Sequence, residues 1–245
     1  MSGVRAALAT AWWKGGWNFR RRWHRFSVEG LEHFHATGPA LMVGYHGRPV
    51  AHDLCMLQVM LLEQGIVTHA VMHEVAQQLP VVRHALGPMG FVFGDGPAVA
   101  AAFAAGRKVI VTPGATREAA RRHDVRYRVD WGGRTGWLRL AMKYRVPVLP
   151  VAGWGVDDTY VGLVDGAQYA DRVKLPGGLP FWLGVGPLGL WPFSPPFPVA
   201  IRSVIGRPFT RHLGDGVDPA DKAVVSALAR EVEGEVQGLL DRRPR

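Results

Sequence analysis

The sequence has a single cysteine, Cys55, in 245 residues. That excludes an internal disulfide framework and a cysteine-built metal cluster, and it fits a reducing compartment. Acid is missing from the start of the chain: Arg5, Lys14, Arg20, Arg21, Arg22 and Arg25 all precede the first acid, Glu29. Residues 1–26 hold no uninterrupted apolar stretch, so a signal peptide of the usual form is not expected. The longest run without charge, residues 175–201, is broken by Pro176, Pro180, Pro187, Pro192, Pro195, Pro196 and Pro198. Each interior proline costs a helix roughly 3 kcal/mol, so this run is not expected to span a membrane, and no transmembrane segment is expected elsewhere. The chain also lacks a Gly-x-Ser-x-Gly nucleophile elbow, an internal repeat and a low-complexity tail.

What is present is apolar and basic. Apolar residues make up 48 %, enough for a sizeable core, and the length suits one domain. The net charge of +9 and a pI near 10.3 point to anionic partners: nucleic acid, anionic lipid or a phosphate-bearing cosubstrate. Trp12, Trp13, Trp17, Phe19, Trp23 and Phe26 interleave with the N-terminal basic residues. Rings mixed with arginine suit a membrane interface, the rings at the acyl boundary and the arginines on lipid phosphates. Gly15-Gly16 is expected to weaken a continuous helix here. Against nucleic acid, the other aromatics cluster with Pro and Leu rather than beside basic residues on a strand face.

Short apolar runs alternate with helical patterns from residue 40 to 151. Strands are expected at 40–45, 68–72, 90–93, 108–112 and 146–151, with helices from Asp53 to Gly65, at 74–86, from Pro97 to Ala105, and from Gly136 to Tyr144. Another strand is expected at 199–205, and a C-terminal helix after Pro219 carries Val224, Val225, Leu228, Val232 and Val236 at helical spacing. The pattern predicts an α/β fold: one domain with a mixed, mostly parallel sheet flanked by helices. Such sheets place chemistry at strand ends. Two strand ends carry it here. The first is Gly44-Tyr45-His46-Gly47-Arg48 with Asp53 downstream, and the second is Pro113-Gly114-Ala115-Thr116-Arg117-Glu118-Ala119. Gly184-Val185-Gly186-Pro187-Leu188-Gly189 matches a dinucleotide fingerprint but is followed by Leu-Trp-Pro rather than a helix, and is set aside. His69 and His73 lack an obvious third ligand, and no metal site is expected.

Over residues 38–210 these motifs resemble the glycerolipid acyltransferases of the lysophospholipid acyltransferase-like superfamily, and most closely its monoacylglycerol and diacylglycerol acyltransferase-like branch. The second motif is similar to that branch's Pro-Gly-Gly-x-Arg-Glu-Ala. Tyr127, Trp131, Arg134 and Gly136, then Pro147-Val148-Leu149-Pro150-Val151, then Gly206-Arg207-Pro208 follow in the family's order. The chain departs from the superfamily twice. Six residues separate His46 from Asp53 where four are usual, and an acid, Asp95, stands where phosphate-acceptor branches carry an arginine. The second departure suits a neutral alcohol acceptor.

The resemblance implies transfer of a fatty acyl group from acyl-coenzyme A or acyl carrier protein to a glycerolipid or other lipid hydroxyl, with no resident cofactor. His46 is expected as general base and Asp53 as the group that orients it. The amides of Gly114, Ala115 and Thr116 are expected to meet the oxyanion. Arg117 is expected to hold a phosphate, and Glu118 to place the acceptor hydroxyl or brace Arg117. Gly47, Arg48, Pro113 and Arg134 complete the expected substrate-binding set. Residues 1–30 are expected as a basic aromatic membrane-interface segment and 31–245 as the acyltransferase domain, peripheral on the cytoplasmic face of an anionic membrane. Hydrolysis of a lipid ester or thioester at the same site, or non-catalytic binding of anionic lipid, are the alternatives.

Overall fold

A computed structural model describes residues 2–72, 90–93, 96–166 and 182–244. Along the chain the elements are α1 (Ser2–Trp23), β1 (Ser27–Glu29), α2 (Leu31–Ala36), β2 (Ala40–Gly44), α3 (His52–Glu63), β3 (His69–Met72), β4 (Phe91–Phe93), α4 (Pro97–Ala104), β5 (Lys108–Val111), α5 (Thr116–Ala119), α6 (Gly136–Tyr144), β6 (Val148–Trp154), β7 (Val161–Gly162), β8 (Gly184–Gly186), β9 (Gly189–Leu190), β10 (Arg202–Ile205) and α7 (Lys222–Asp241). The helix expected at 74–86 lies outside the described residues.

Seven strands form the main sheet in the order β1-β10-β6-β2-β5-β3-β4. All neighbours run parallel except β10 and β6. Period-two alternation splits β2 between two cores. Ala40 and Met42 pack with Leu54, Leu57 and Leu61 of α3, whereas Leu41 and Val43 pack with Leu138 of α6 and Val232 and Val236 of α7. Because both faces are covered, β2 and β5 are buried along their length, and apolar but for Lys108 at the start of β5. Asp221 caps α7 by accepting from the Ala223 and Val224 amides. Asp53 is not a cap: α3 starts at His52, with Ala51 at the cap position, and Asp53 lies in its first turn.

Helix α1 continues through Gly15-Gly16. It is held on α3, where Trp17 is buried with Met56, Val59 and Ile201, and Arg21 pairs with Glu63 at 2.5 Å. The discarded fingerprint is a strand–turn–strand hairpin, β8–β9, within a second, three-stranded sheet.

Candidate active site

The end of β2 delivers His46. Tyr45 is buried and its hydroxyl donates to Asp157, while the next residue turns its half-buried imidazole outward. The His46 amide donates to Glu118 Oε2 at 2.8 Å, and its Nδ1 lies 2.9 Å from the Gly47 carbonyl oxygen. A carbonyl only accepts, so Nδ1 carries the proton and Nε2 keeps its lone pair. Burial pushes the imidazole below its ordinary pKa, which keeps it neutral at pH 7. A Cβ at Gly47 would overlap Val156, so only glycine closes this turn.

Asp53 does not reach the ring. Its carboxylate is buried against Gly153 of β6, and among the described residues neither oxygen has a side-chain hydrogen-bond partner. The longer spacing after His46 leaves the orienting contact to the Gly47 carbonyl. Burial lifts the Asp53 carboxyl to about 7. An acid raised on folding binds its proton more tightly in the native state, so stability is full at low pH and falls as pH rises through the native pKa. Asp53→Asn removes that titration. Its stability relative to wild type should therefore climb between about pH 4 and 8, by an order of 4 kcal/mol. Thermal unfolding of both proteins across this range checks it, and parallel curves would contradict it.

The second motif is held from below. Glu118 is wholly buried; Oε2 takes the His46 amide, Oε1 takes the Asp130 amide at 2.9 Å, and Arg121 Nη2 stands 3.5 Å away. Burial raises its carboxyl to about 7. Gly114 is glycine because a Cβ there would overlap the Glu118 side chain. Glu118 thus neither braces Arg117 nor faces an acceptor: it ties both motifs together. Arg117 instead forks onto Asp130, with Nη2 at 2.8 Å from Oδ2, in a half-exposed pair. Arg134 donates to the carbonyls of Pro113 at 2.6 Å and Gly114 at 3.1 Å, fixing the loop rather than a ligand. Arg48 is also spent internally. Its guanidinium is fully buried, bonded to the Asp157 carbonyl and 3.0 Å from His123 Nδ1. Asp157 gathers the amides of Arg48 and Tyr127 and the Tyr45 hydroxyl on one carboxylate. Sequence reading passed over Asp157, Arg121 and Asp130, because nothing in their local context marks them.

Of the three expected oxyanion donors, the Ala115 amide is committed to the Thr112 carbonyl at 3.0 Å. Among the described residues, the amides of Gly114 and Thr116 have no such engagement. Ala115 itself sits at φ 46°, ψ −124°, where an L side chain is strained and the related motif has glycine. Ala115→Gly should raise stability by about 1 kcal/mol, since relief of strain outweighs glycine's added unfolded-state freedom. A rise of a few degrees in Tm is the expected reading, and a fall would contradict the strain. His52 is a core residue: its ring packs 5.6 Å from Trp17 and 5.8 Å from His24, and burial drives its pKa down to about 3.

The site therefore presents a neutral imidazole with a free lone pair beside a glycine-built loop with spare amide donors. Comparison with known proteins bears on what such a site serves. A bovine protein described as a "DGAT1/2-independent enzyme synthesizing storage lipids" is 24 % identical over 246 residues, 99 % of this chain and 66 % of its own length. The chicken protein of that description is 27 % identical over 209 residues, 84 % of this chain and 57 % of its own length. This chain thus spans less than two thirds of the length of these relatives. An uncharacterised protein of Mycobacterium tuberculosis is 26 % identical over 91 % of the chain and 63 % of its own length. The crystal structure of the 1-acyl-sn-glycerophosphate acyltransferase PlsC from Thermotoga maritima aligns over all of both chains, with a TM-score of 0.48 and 19 % identity. The family model described as Acyltransferase matches residues 25–154, more than half of the sequence and both strand-end motifs, and the chain belongs to that family.

Proposed function

We propose that this protein moves a fatty acyl group from a thioester, acyl-coenzyme A or acyl carrier protein, to a lipid hydroxyl, with His46 as general base. One observation carries the reading: His46 stands at a strand end as a neutral imidazole whose Nδ1–H is held by the Gly47 carbonyl. The acceptor's O–H gives its proton to Nε2 as the oxygen attacks the thioester carbon. The Gly114 and Thr116 amides are the donors offered to the tetrahedral oxyanion. Collapse expels the thiolate, which takes the proton back from the imidazolium, so the protons balance and no acyl-enzyme is needed.

The acceptor is a neutral glycerolipid alcohol, such as a mono- or diacylglycerol. Asp95 at the position of a phosphate-binding arginine supports this, as does the storage-lipid description of the relatives. The enzyme works at an anionic membrane surface on the cytoplasmic side. Support comes from α1, which turns Trp13 and Trp17 toward the domain and leaves Leu8, Trp12 (77 % exposed) and Phe19 in solvent among basic residues. No described helix is long and apolar enough to cross a membrane.

The test is an assay with labelled acyl-coenzyme A or acyl carrier protein and vesicles holding monoacylglycerol, diacylglycerol, lysophosphatidate or a long-chain alcohol. Labelled ester from a neutral acceptor is the expected product. Free fatty acid with every acceptor would mean hydrolysis. No product from folded, vesicle-bound protein would leave the lipid-binding reading.

A further inference from the structure

The small sheet β7–β8–β9 has two unlike faces. Its register sets Val161 opposite Val185 and Val185 opposite Leu190, so these three side chains share one face. Gly162, Gly184 and Gly186 share the other, and each is glycine because something lies against it: Arg48 Nη1, the Trp182 ring and Ser194 Oγ, respectively. The glycine face therefore points inward and the valine–leucine face outward. Around the outer face Leu163 is exposed, Leu188 at the hairpin turn is 81 % exposed, and Phe193 is 93 % exposed. No charged residue occurs from 184 to 200. Exposed edge strands normally carry charge to avoid association, and an apolar patch this contiguous marks an interface.

Its surroundings say what covers it. Trp23 Nε1 donates to the Pro196 carbonyl at 3.1 Å, Arg25 reaches the Pro198 carbonyl at 3.4 Å, and Phe19 stacks on Trp23 with centroids 6.0 Å apart. The patch is thus joined to the end of α1, whose Leu8, Trp12, Phe19 and Trp23 recur on one helical face. This helix has five lysine and arginine residues and no acid, and Arg25 follows its end. A cationic border complements anionic headgroups and repels a second copy of the same basic chain.

We propose that the β8–β9 hairpin and the turn through Phe193 insert into the acyl boundary of an anionic bilayer, as a second anchor beside α1. Arg48, two residues after His46, is seated under Gly162 of this sheet. Docking the sheet therefore fixes the His46 loop relative to the lipid surface, where the acceptor hydroxyl lies. The inference rests on the membrane reading above and adds to it the element that enters the lipid.

Flotation with phosphatidylglycerol–phosphatidylcholine vesicles tests it, comparing wild type, L188E/F193E and F19E. The hairpin variant should lose tenfold or more in partition coefficient. In a second measurement, an environment-sensitive dye on Leu188→Cys, in a Cys55→Ser background, should shift to the blue on these vesicles and not in buffer. Hairpin partition equal to wild type, or a dye that stays water-like, overturns the second anchor while binding lost in F19E keeps the membrane reading. Wild type that binds no vesicle overturns both. A wild-type dimer in sedimentation that L188E/F193E dissolves would assign the patch to a second copy and overturn the proposal.

Discussion

Replacing His46 by alanine should cut acyl transfer by about 10²–10⁴-fold, the usual contribution of a positioned base, and barely change stability. The two effects separate because the residue's structural and chemical parts use different atoms. Its structural contact is the main-chain amide on Glu118, which alanine keeps. Among the described residues its ring makes one hydrogen bond, to the neighbouring Gly47 carbonyl, so losing that bond should cost no more than about 1 kcal/mol. Ester formation from labelled donor and thermal unfolding, measured on the same preparations, check both halves. Wild-type activity should also be flat around pH 7 and fall in acid with a midpoint below the ordinary histidine value, because burial lowers the pKa and only the neutral ring accepts a proton. An alanine variant with full activity, or a limb rising above pH 7, would remove His46 from the chemistry.

The central strands were legible because their burial is two-sided. A parallel strand covered by helices on both faces has no polar alternate, so β2, β6 and, after Lys108, β5 read directly as apolar runs. Helix α7 was legible because only one face is buried, leaving a clear helical period. The small sheet was not legible, because glycine weighs against strand, and Gly162, Gly184 and Gly186 occupy strands only to make room for Arg48, Trp182 and Ser194. Helix α1 survives two glycines because Trp17 and Arg21 anchor it on α3, a tertiary contact that local propensity does not contain. The site divides in the same way. Motif residues mark where His46 and Glu118 lie, but the partners of their polar atoms depend on packing. Arg48, Arg134 and Glu118 carry the residue types expected of ligand contacts and are consumed by the chain itself. Asp53, expected on the imidazole, is buried without a side-chain partner among the described residues, since spacing alone does not set where a side chain at a helix start points.

Glu118 is the most consequential of these internal contacts, and its variants should fail in two distinct ways. Glu118→Ala strips the acceptors from two amides, leaves Arg121 without its counter-charge and opens a void beside Gly114. Each unsatisfied buried donor costs about 1–3 kcal/mol, and the unpaired guanidinium adds more. The sum, roughly 4–6 kcal/mol, is a large part of the stability of a domain this size, so this variant should be largely unfolded at 37 °C by circular dichroism. Glu118→Gln keeps the shape but has one accepting oxygen, so either the His46 or the Asp130 amide loses its partner. That protein should fold with a lowered Tm, and kcat should drop about 10–100-fold because the base is no longer held at a fixed position. KM for donor and acceptor should change little, since the carboxylate touches neither. This split distinguishes a positioning residue from a substrate ligand: were Glu118 to hold the acceptor hydroxyl, the glutamine variant would raise the acceptor's KM and leave the donor's unchanged. Glu118→Asp, one methylene shorter, should resemble glutamine rather than wild type, because the carboxylate no longer spans both amides.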